Sequence, residues 1–399
     1  MFRRTTFLST LSVLFLLLTA LPAAAQDQFM FGVILVGPKD DHGWSQAHFE
    51  GGQYAEAHVA GTKMLMFEKL NSADSPETHL IDVVTEMVEK GAKLIITTSD
   101  DFEDDTPAAA KAFPNVTFVN IGGSQVINKG APPNLGNYDA QVEWSEEISG
   151  CAAALITQTG KIGYLGPLIN PKTRRLAASA YLGARYCYEN YARKDPTTLS
   201  FTVTWIGNWF NIPGVTLDPT AEANTFFDKG ADVVMSALDS PEALQVASQR
   251  SANGQKVFAA AYDYREGCDA APEVCLGVAY YNWGPYYTRL VQAVKDGTWT
   301  QSWDWEPPSW ANINDADVSP TGFLQGNALS ADNAKLLGDF IAEMTNFGTD
   351  PANKDRIFLW RGPLTYQDDS GFLADGEFAK PLDIWKLPKL LKGMIGASS

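Results

Sequence analysis

The stretch FGVILVGPKDDHGW runs from Phe31 to Trp44 and joins a strand pattern to a polar, aromatic loop. Phe31 to Val36 is a short apolar run rich in β-branched and aromatic residues, and Gly37-Pro38 ends it. Such a run predicts a buried strand with a sharp stop. The residues that follow, from Ser45 to Ala60, have a helical pattern. The stretch therefore predicts a strand–loop–helix unit of an α/β fold.

The loop between this strand and this helix carries Asp41, His42 and Trp44. In open α/β sheets, ligands bind in the crevice beyond the carboxyl ends of the strands. A carboxylate, an imidazole and an indole at that place offer hydrogen bonds and a flat stacking surface together. The alternative is a surface turn in which Asp41 or Ser45 caps the helix and Trp44 packs against a neighbour. The loop alone does not separate these two interpretations.

The first 25 residues have the pattern of a cleavable secretory signal. Arg3 and Arg4 form a positive start, Phe7 to Leu21 is apolar apart from serine and threonine, and Ala23-Ala24-Ala25 gives small residues before Gln26. The apolar run is short for a membrane span. No cysteine stands at the cleavage point, so a lipoprotein signal is absent. We expect a protein exported to the periplasm or extracytoplasmic space, with residues 1–25 removed.

The composition excludes several classes of partner. The chain has 399 residues and a formal charge of −17, and the signal contributes two arginines and no acids to it. An acidic protein lacks the positive surface that nucleic acid or anionic lipid requires. Residues 26–399 contain no second apolar run of membrane length. We expect a monomer of two domains that does not insert into the membrane.

Four cysteines in an exported chain favour disulfides. Cys268 and Cys275 flank a six-residue segment and make a plausible local bridge, which would leave Cys151 to pair with Cys187. Four cysteines allow three connectivities, and the spacing does not choose among them. A metal site is disfavoured because there is no C-x-x-C and the histidines lie far from the cysteines.

Strand and helix patterns alternate along the whole chain, which predicts parallel sheets covered on both faces. The expected strands are 31–36, 63–67, 93–98, 116–121, 161–165, 200–205, 232–237, 256–262, 275–281 and 357–366, and the expected helices are 45–60, 75–90, 105–113, 143–158, 173–188, 221–229, 241–251, 285–295 and 330–345. Residues 299–320 are expected to be irregular. The run EKGAKLIITTSD (89–100) recurs as DKGADVVMSALD (228–239), and ILVGP (34–38) recurs as GYLGP (163–167). These repeats predict two lobes of the same topology that face one cleft.

The ends of the predicted strands supply the candidate binding residues. They are Asp41, His42, Trp44, Ser99 and Phe102 from the first lobe, Asn208, Trp209, Phe210, Asp239 and Asp263 from the second, and Trp283 from the segment YYNWGPYY. Carboxylates accept hydrogen bonds from ring N–H groups or sugar hydroxyls, and indoles stack on a flat ring. Stacking of a base on an aromatic side chain is worth about 1–3 kcal/mol. The set predicts a small-molecule site without a cofactor.

Each candidate also has a structural alternative. Asp239 can cap the helix that follows Pro241, Asp263 can be a turn residue, and the acidic run 100–105 is either a solvated loop or a calcium site. No P-loop, G-x-S-x-G or H-E-x-x-H motif is present, and no carboxylate pair stands out as acid and base. We therefore expect no catalytic residues. An exported nucleoside or glycoside hydrolase is the alternative from another functional class.

Seven segments together resemble the basic membrane protein (BMP) family of solute-binding proteins of ABC transporters, which includes purine-nucleoside receptors. They are DDHGWSQAHFEG (40–51), KLIITTSDDFED (93–104), AFPNVTFVNIGG (112–123), GKIGYLGP (160–167), WIGNWFN (205–211), LDSPEA (238–243) and NWGPYY (282–287). The resemblance covers nearly all of residues 26–399 in order, and IFLWRGPLTYQDDSG (357–371) resembles the family's C-terminal strand and turn.

This resemblance implies an α/β chain with the type I periplasmic-binding-protein fold, in which two Rossmann-like lobes with parallel sheets are joined by three crossings around a ligand cleft. Residues 26–141 and 282–325 would form lobe 1, and residues 142–281 and 326–399 lobe 2. It implies a purine nucleoside or base as ligand and a membrane permease as partner. Trp44 and Trp209 would stack on the ligand, Asp41, Asp239 and Asp263 would anchor it, and Ser99 and Trp283 would line the cleft. A sugar or autoinducer receptor of the same fold is the alternative. The missing acylated cysteine, the long loop 211–220 and the cysteine pairs depart from the better-known members.

Overall fold

The computed structural model of the chain describes Met1 and residues 28–398. Apart from Met1, the predicted signal sequence lies outside the described residues. The strands are β1 (Phe29–Ile34), β2 (Thr62–Phe67), β3 (Ala92–Thr97), β4 (Thr117–Ile121), β5 (Leu135–Ala140), β6 (Lys161–Gly166), β7 (Ser200–Trp205), β8 (Val233–Ser236), β9 (Phe258–Asp263), β10 (Cys275–Tyr281), β11 (Trp303–Glu306), β12 (Thr321–Gln325), β13 (Leu364–Thr365), β14 (Gly371–Leu373) and β15 (Met394–Ile395). The α-helices are α1 (Trp44–His58), α2 (Leu80–Glu89), α3 (Thr106–Ala112), α4 (Glu143–Ile156), α5 (Pro171–Asn190), α6 (Pro219–Asp228), α7 (Glu242–Ala252), α8 (Gly284–Lys295), α9 (Ala331–Thr349) and α10 (Pro381–Trp385).

Two twisted sheets form the cores of two lobes. The first has the strand order β11-β5-β4-β3-β1-β2 and is parallel throughout. The second has the order β12-β10-β9-β8-β6-β7-β15 and is parallel except for the β10–β12 pair. Most of their strands are apolar runs, as in other parallel sheets that helices cover on both faces. The predicted two-lobed α/β architecture is confirmed.

The strand order reverses at β1 in the first sheet and at β6 in the second. β1 lies between β2 and β3, and β6 lies between β7 and β8. At such a reversal of the strand order, a crevice opens beyond the carboxyl end of the strand. The loop after β1 contains the residues that the sequence analysis began with. The loop after β6 leads into α5, and the two crevices face each other across the cleft.

Within residues 28–398 the chain passes between the two sheets three times. The first passage links β5 to α4, the second links β10 to α8, and the third runs from β11 to β12. The predicted lobe boundaries stay a prediction, but strand pairing differs from them at one place. β12, which was assigned to the first lobe, pairs antiparallel with β10 in the second sheet, because the third passage ends before Thr321 and not after it.

The long helices α4 and α5 pack closely against each other in the second lobe. A Cβ atom added at Gly150 would collide with the carbonyl of Ala180, and one at Gly183 would collide with the carbonyl of Glu147. The Cys151–Cys187 disulfide joins the same two helices, and the Cys268–Cys275 disulfide closes the loop between β9 and β10. These are the two pairs that the sequence analysis named, and both lie in the lobe that carries Trp209 and Asp239.

Several elements differ from the sequence expectation, and β12, β14, β15 and α10 were not predicted. β5 was not predicted because Leu-Gly-Asn-Tyr-Asp-Ala lacks an apolar pattern, although every one of its residues is buried. β11 lies inside a segment that was expected to be irregular. α2 begins at Leu80 and not at Ser75. The segment 357–366 was expected to be a strand, but only Leu364–Thr365 pairs, with β14.

Candidate functional site

The loop after β1 is fixed by Asp41. Its carboxylate accepts hydrogen bonds from the backbone N–H groups of Gly43 at 2.9 Å, Ser45 at 3.0 Å and Gln46 at 2.9 Å. The hydroxyl of Ser45 in turn accepts a bond from the N–H of Gly37. Asp41 thus satisfies N–H groups at the start of α1, which is the capping role considered as its alternative. The capped loop presents Trp44 to the cleft.

Trp44 is held rigidly at the wall of the cleft. Its Nε1–H donates to the carbonyl of Thr98 at 2.5 Å, and its ring meets the rings of His48, Tyr281 and Trp283 edge to face at centroid distances of 4.5–5.3 Å. Only 6% of the side chain is exposed. Such an indole keeps one orientation before a ligand arrives, so it offers a preformed stacking face.

A narrow cavity of about 10 Å³ lies between the two lobes, and we call it the inner cavity. It is lined by Val36, Trp44, Ser99 and Asp100 from the first lobe and by Lys172, Trp209 and Asp239 from the second. Drug-sized ligands occupy about 300–1,000 Å³. The inner cavity is far smaller than that while the lobes are together, so a flat ring fits between its two indoles only when side chains such as Lys172 move aside.

Trp209 is the indole that the second lobe contributes. Its backbone N–H bonds to the side chain of Asn208, and its carbonyl accepts the N–H of Asp239. The ring Nε1–H is buried and has no hydrogen-bond partner among the described residues. Trp209 therefore brings to the cavity both a ring face and a free N–H donor.

Asp239 and Asp263 form a buried carboxyl pair at the ends of two neighbouring strands. Burial raises the pKa of both well above the usual range, and the adjoining charge of Asp263 adds to the rise at Asp239. Two interacting buried carboxylates do not both ionise readily, so burial and their mutual repulsion favour retention of a proton on the pair. Neither oxygen of Asp263 has a hydrogen-bond partner within residues 28–398. Asp263 also has a left-handed backbone, with φ of 69°, which costs energy in a non-glycine residue and is frequent at functional sites.

The remaining predicted residues lie at different depths. Ser99 lines the inner cavity, whereas Phe102, Asn208 and Phe210 line a wider chamber of about 440 Å³ at the mouth of the cleft, which we call the outer chamber. His42 is exposed and does not line either space.

Trp283 lies behind the cleft wall. It is stacked on Tyr281 at 4.8 Å and on His48 at 4.2 Å, and it supports Trp44 from behind. It lines a separate cavity beside the passage from β10 to α8. The structure thus brings Trp44, Ser99, Trp209 and Asp239 together and leaves Trp283 outside that group.

Sequence reasoning missed Lys172, the cation of the inner cavity. Asn170 caps α5 by accepting the N–H of Thr173 at 2.9 Å, so Asn170-Pro171 looks like an ordinary helix start. The signal was available in the repeat, because Gly163–Pro167 matches the strand end before Asp41. Reading five residues past Pro167 reaches Lys172, at the crevice of the second sheet.

The two lobes are in contact across the cleft. Gln46 donates from Nε2 to the Tyr264 hydroxyl at 2.8 Å, and that hydroxyl donates to Glu50 at 3.0 Å. Asn170 donates to Asp100 at 3.0 Å. A Cβ atom added at Gly43 would collide with the carbonyl of Asp239. The inner cavity is therefore enclosed by contacts that exist only while the lobes are together.

Two further properties of the described residues bear on function. Within residues 28–398 no group of histidine, cysteine, aspartate and glutamate is arranged to hold a metal ion, the acidic run 100–105 included. No described helix is both long and apolar enough to cross a membrane.

Comparisons with known proteins agree with this geometry. The family of PnrA-like ABC transporter substrate-binding proteins (Bmp) matches residues 30–306. A purine-binding protein of Brucella abortus is 28% identical over 357 residues, which are 90% of each chain. Among solved structures, a solute-binding protein of an ABC transporter system from Aeropyrum pernix aligns with a TM-score of 0.62 at 14% identity, over 81% of this chain and 94% of that one. A second one, from Conexibacter woesei, aligns with a TM-score of 0.56 at 16% identity, over 80% and 96%.

The structural likeness confirms the type I periplasmic-binding-protein fold, and the family match extends over both crevices and the first two passages between the lobes. The resemblance drawn from the seven sequence segments is confirmed as well. The chain belongs to the Bmp family of PnrA-like substrate-binding proteins of ABC transporters.

Proposed function

We propose that the protein is an exported receptor that captures a purine base or purine nucleoside between its lobes and delivers it to the permease of an ABC importer. One observation carries this proposal: Trp44 of one lobe and Trp209 of the other line the same enclosed cavity. Two indoles that come from different lobes can stack on a flat heterocycle held between the lobes. The purine-binding relative from Brucella abortus supports the same ligand class.

The polar groups of the cavity suit the edge of such a ring. Asp239 and Asp263 together offer carboxylate acceptors and the proton that they share. Ring N–H groups donate to such acceptors, and ring nitrogens accept the shared proton. When the ligand is a nucleoside, its sugar extends from the inner cavity toward the outer chamber, which is lined by serine, threonine, asparagine and aspartate side chains.

Closure of the lobes couples binding to transport. The contacts from Gly43 to Asp239 and from Gln46 to Tyr264 form only when the lobes meet, and a ligand that touches both indoles adds to them. Such a ligand stabilises the closed form because it binds that form better than the open one. The permease then recognises the closed shape through the rims of both lobes.

The test is isothermal calorimetry on residues 26–399, unfolded and refolded to remove bound ligand. The panel contains hypoxanthine, guanine, adenine, their nucleosides, ribose, glucose and galactose. We expect binding of purine compounds only, and loss of about 1–3 kcal/mol of affinity in Trp209→Ala. Binding of a sugar and of no purine would favour the sugar-receptor alternative. A purine nucleoside recovered as free base and sugar after long incubation would favour the hydrolase.

A further inference from the structure

Lys172 lines the inner cavity beside both indoles. It lies in the first turn of α5, and only 5% of it is exposed. Its ammonium is 4.1 Å from the centroid of the Trp44 ring and 5.6 Å from that of Trp209. A buried lysine between the two stacking faces must either contact a bound ring or be displaced by it.

The ammonium has hydrogen-bonding capacity to spare. Its nearest carboxylate oxygen, on Asp139, is 3.8 Å away, which is too long for a hydrogen bond. No hydrogen bond from its three N–H donors is found within residues 28–398. The indole of Trp44 stabilises the charge through its ring face but accepts no conventional hydrogen bond. Lys172 is therefore a nine-tenths buried donor group that faces the ligand space without an acceptor.

Buried carboxyl groups lie near this cation as well as the aromatic rings. Burial raises the pKa of Asp139, and the charges of Lys172 and then Arg175 act against that rise. The charge of Lys172 likewise lowers the pKa of Asp239 and Asp263 against the larger effect of burial. The cavity thus presents the N–H donors of Lys172 together with the carboxyl groups of Asp100 and Asp239, and Asp263 adjoins Asp239.

We propose that Lys172 makes the site selective for 6-oxopurines over 6-aminopurines; this rests on the proposed function of purine capture. A guanine-type ring places two acceptors, O6 and N7, side by side, whereas adenine places the N6 amino donor beside N7. A 6-oxopurine offers O6 and N7 to the ammonium and its N1–H to a carboxylate. Adenine would direct an amino group at an ammonium, and two donors would then meet in a buried site.

The stacking geometry is compatible with this role. A ring that stacks on Trp44 takes the place of the ammonium over the indole, and the flexible four-carbon side chain moves the ammonium to the ring's edge. Lys172 thereby leaves a weak contact with an indole face and gains hydrogen bonds to O6 and N7. The exchange favours a ligand with acceptors at that edge and disfavours one without them.

The experiment compares hypoxanthine with adenine by calorimetry on the refolded chain 26–399, because the two differ only at the oxygen or amino group on C6 and the adjoining ring proton. We expect wild type to bind hypoxanthine at least about tenfold more tightly than adenine. Lys172→Met should bring the ratio to within about threefold, mainly by weakening hypoxanthine binding. Lys172→Gln, which retains an N–H donor, should retain part of the preference. Lys161→Met, at an exposed lysine of the same lobe, is the matched control and should keep the wild-type ratio.

Equal binding of the two purines by wild type overturns the proposal. This test uses no variant, so it can be made even when a Lys172 variant fails to fold. Retention of the full preference in a folded Lys172→Met protein overturns it as well. If wild type binds only nucleosides, the same comparison is made with inosine and adenosine; if it binds no purine base and no purine nucleoside, the proposed function itself fails and the selectivity fails with it. If wild type binds both without preference, only the role of Lys172 is refuted.

Discussion

Replacing Glu146 by glutamine should make the protein more stable at neutral pH. Glu146 lies in α4 with 1% of its surface exposed, and its Oε2 has no hydrogen-bond partner among the described residues. Burial, and then the charge of Glu143, raises its pKa well above the usual range. The carboxyl is therefore carried protonated in the folded protein, whereas in the unfolded chain it ionises above its ordinary pKa, near 4.5.

The sign of the effect follows from proton linkage. Above pH 4.5 the folded state holds a proton that the unfolded state has released, so the contribution of this group to stability falls as the pH rises. The fall amounts to about 1.4 kcal/mol per pH unit until the folded-state pKa is reached. Between pH 5 and pH 7.5 wild type should lose up to about 3 kcal/mol at this position. Glutamine does not titrate, so Glu146→Gln should avoid that loss.

The assay is urea unfolding at pH 5 and pH 7.5 with both disulfides intact, for wild type, Glu146→Gln and Glu77→Gln. Glu77 is exposed, and its variant controls for the general effect of removing one carboxylate. We expect the free energy of unfolding of Glu146→Gln to gain on wild type as the pH rises, while Glu77→Gln follows wild type. A difference between wild type and Glu146→Gln that is the same at both pH values would refute the reasoning.

Three further changes test the packing around the cleft. Gly43→Ala should weaken binding of the purine that wild type prefers by at least about tenfold in calorimetry, since the new Cβ meets the carbonyl of Asp239 across the cleft; unchanged affinity would show that the lobes need not approach so closely. Trp44→Ala should lower the free energy of unfolding by about 3–5 kcal/mol, because the indole is buried and bonded to backbone, and it should also weaken ligand binding. A variant that loses affinity but unfolds at the same denaturant concentration as wild type would argue against this packing. Cys151→Ala/Cys187→Ala should cost about 3–4 kcal/mol of stability, as the bridge closes a span of 36 residues; an unchanged unfolding midpoint would contradict it.

The regular β/α alternation was predictable because the strands of parallel sheets are continuous apolar runs. The bounds of β1 and α1 differ from the sequence expectation by two residues or fewer, and β10 was predicted without error. The strands that were missed are those whose burial comes from tertiary contacts. β5 contains Asn137 and Asp139, which are buried because they bond to neighbouring loops and to cations, and no periodic pattern reveals that.

Within the candidate site, the residues that could be predicted are those that follow the end of a predicted strand. Trp44, Trp209 and Asp239 each follow a predicted strand, and the structure places all three at one cavity. Trp283 was included for the same reason, yet Tyr281 separates it from the cavity. Trp283 lies in the passage from β10 to α8, and the course of that passage decides where its side chain lies.

Lys172 could be located only through the internal repeat, since a single lysine in a helix's first turn is usually a surface residue. Its burial arises from Trp44 and Asp139 of the other lobe. When a side chain is buried by residues of the other lobe, the sequence around it does not indicate that it is buried. The same holds for the pairing of Asp239 with Asp263, which are brought together by adjacent strands.

The central claim is that a purine ring lies between Trp44 and Trp209. Its most direct test is a crystal structure of the refolded chain 26–399 grown with saturating hypoxanthine. The account predicts closed lobes, the ring stacked on both indoles, and a ring N–H directed at the Asp239–Asp263 pair. A ring bound elsewhere, or a cleft that stays without purine at saturating concentration, would contradict it.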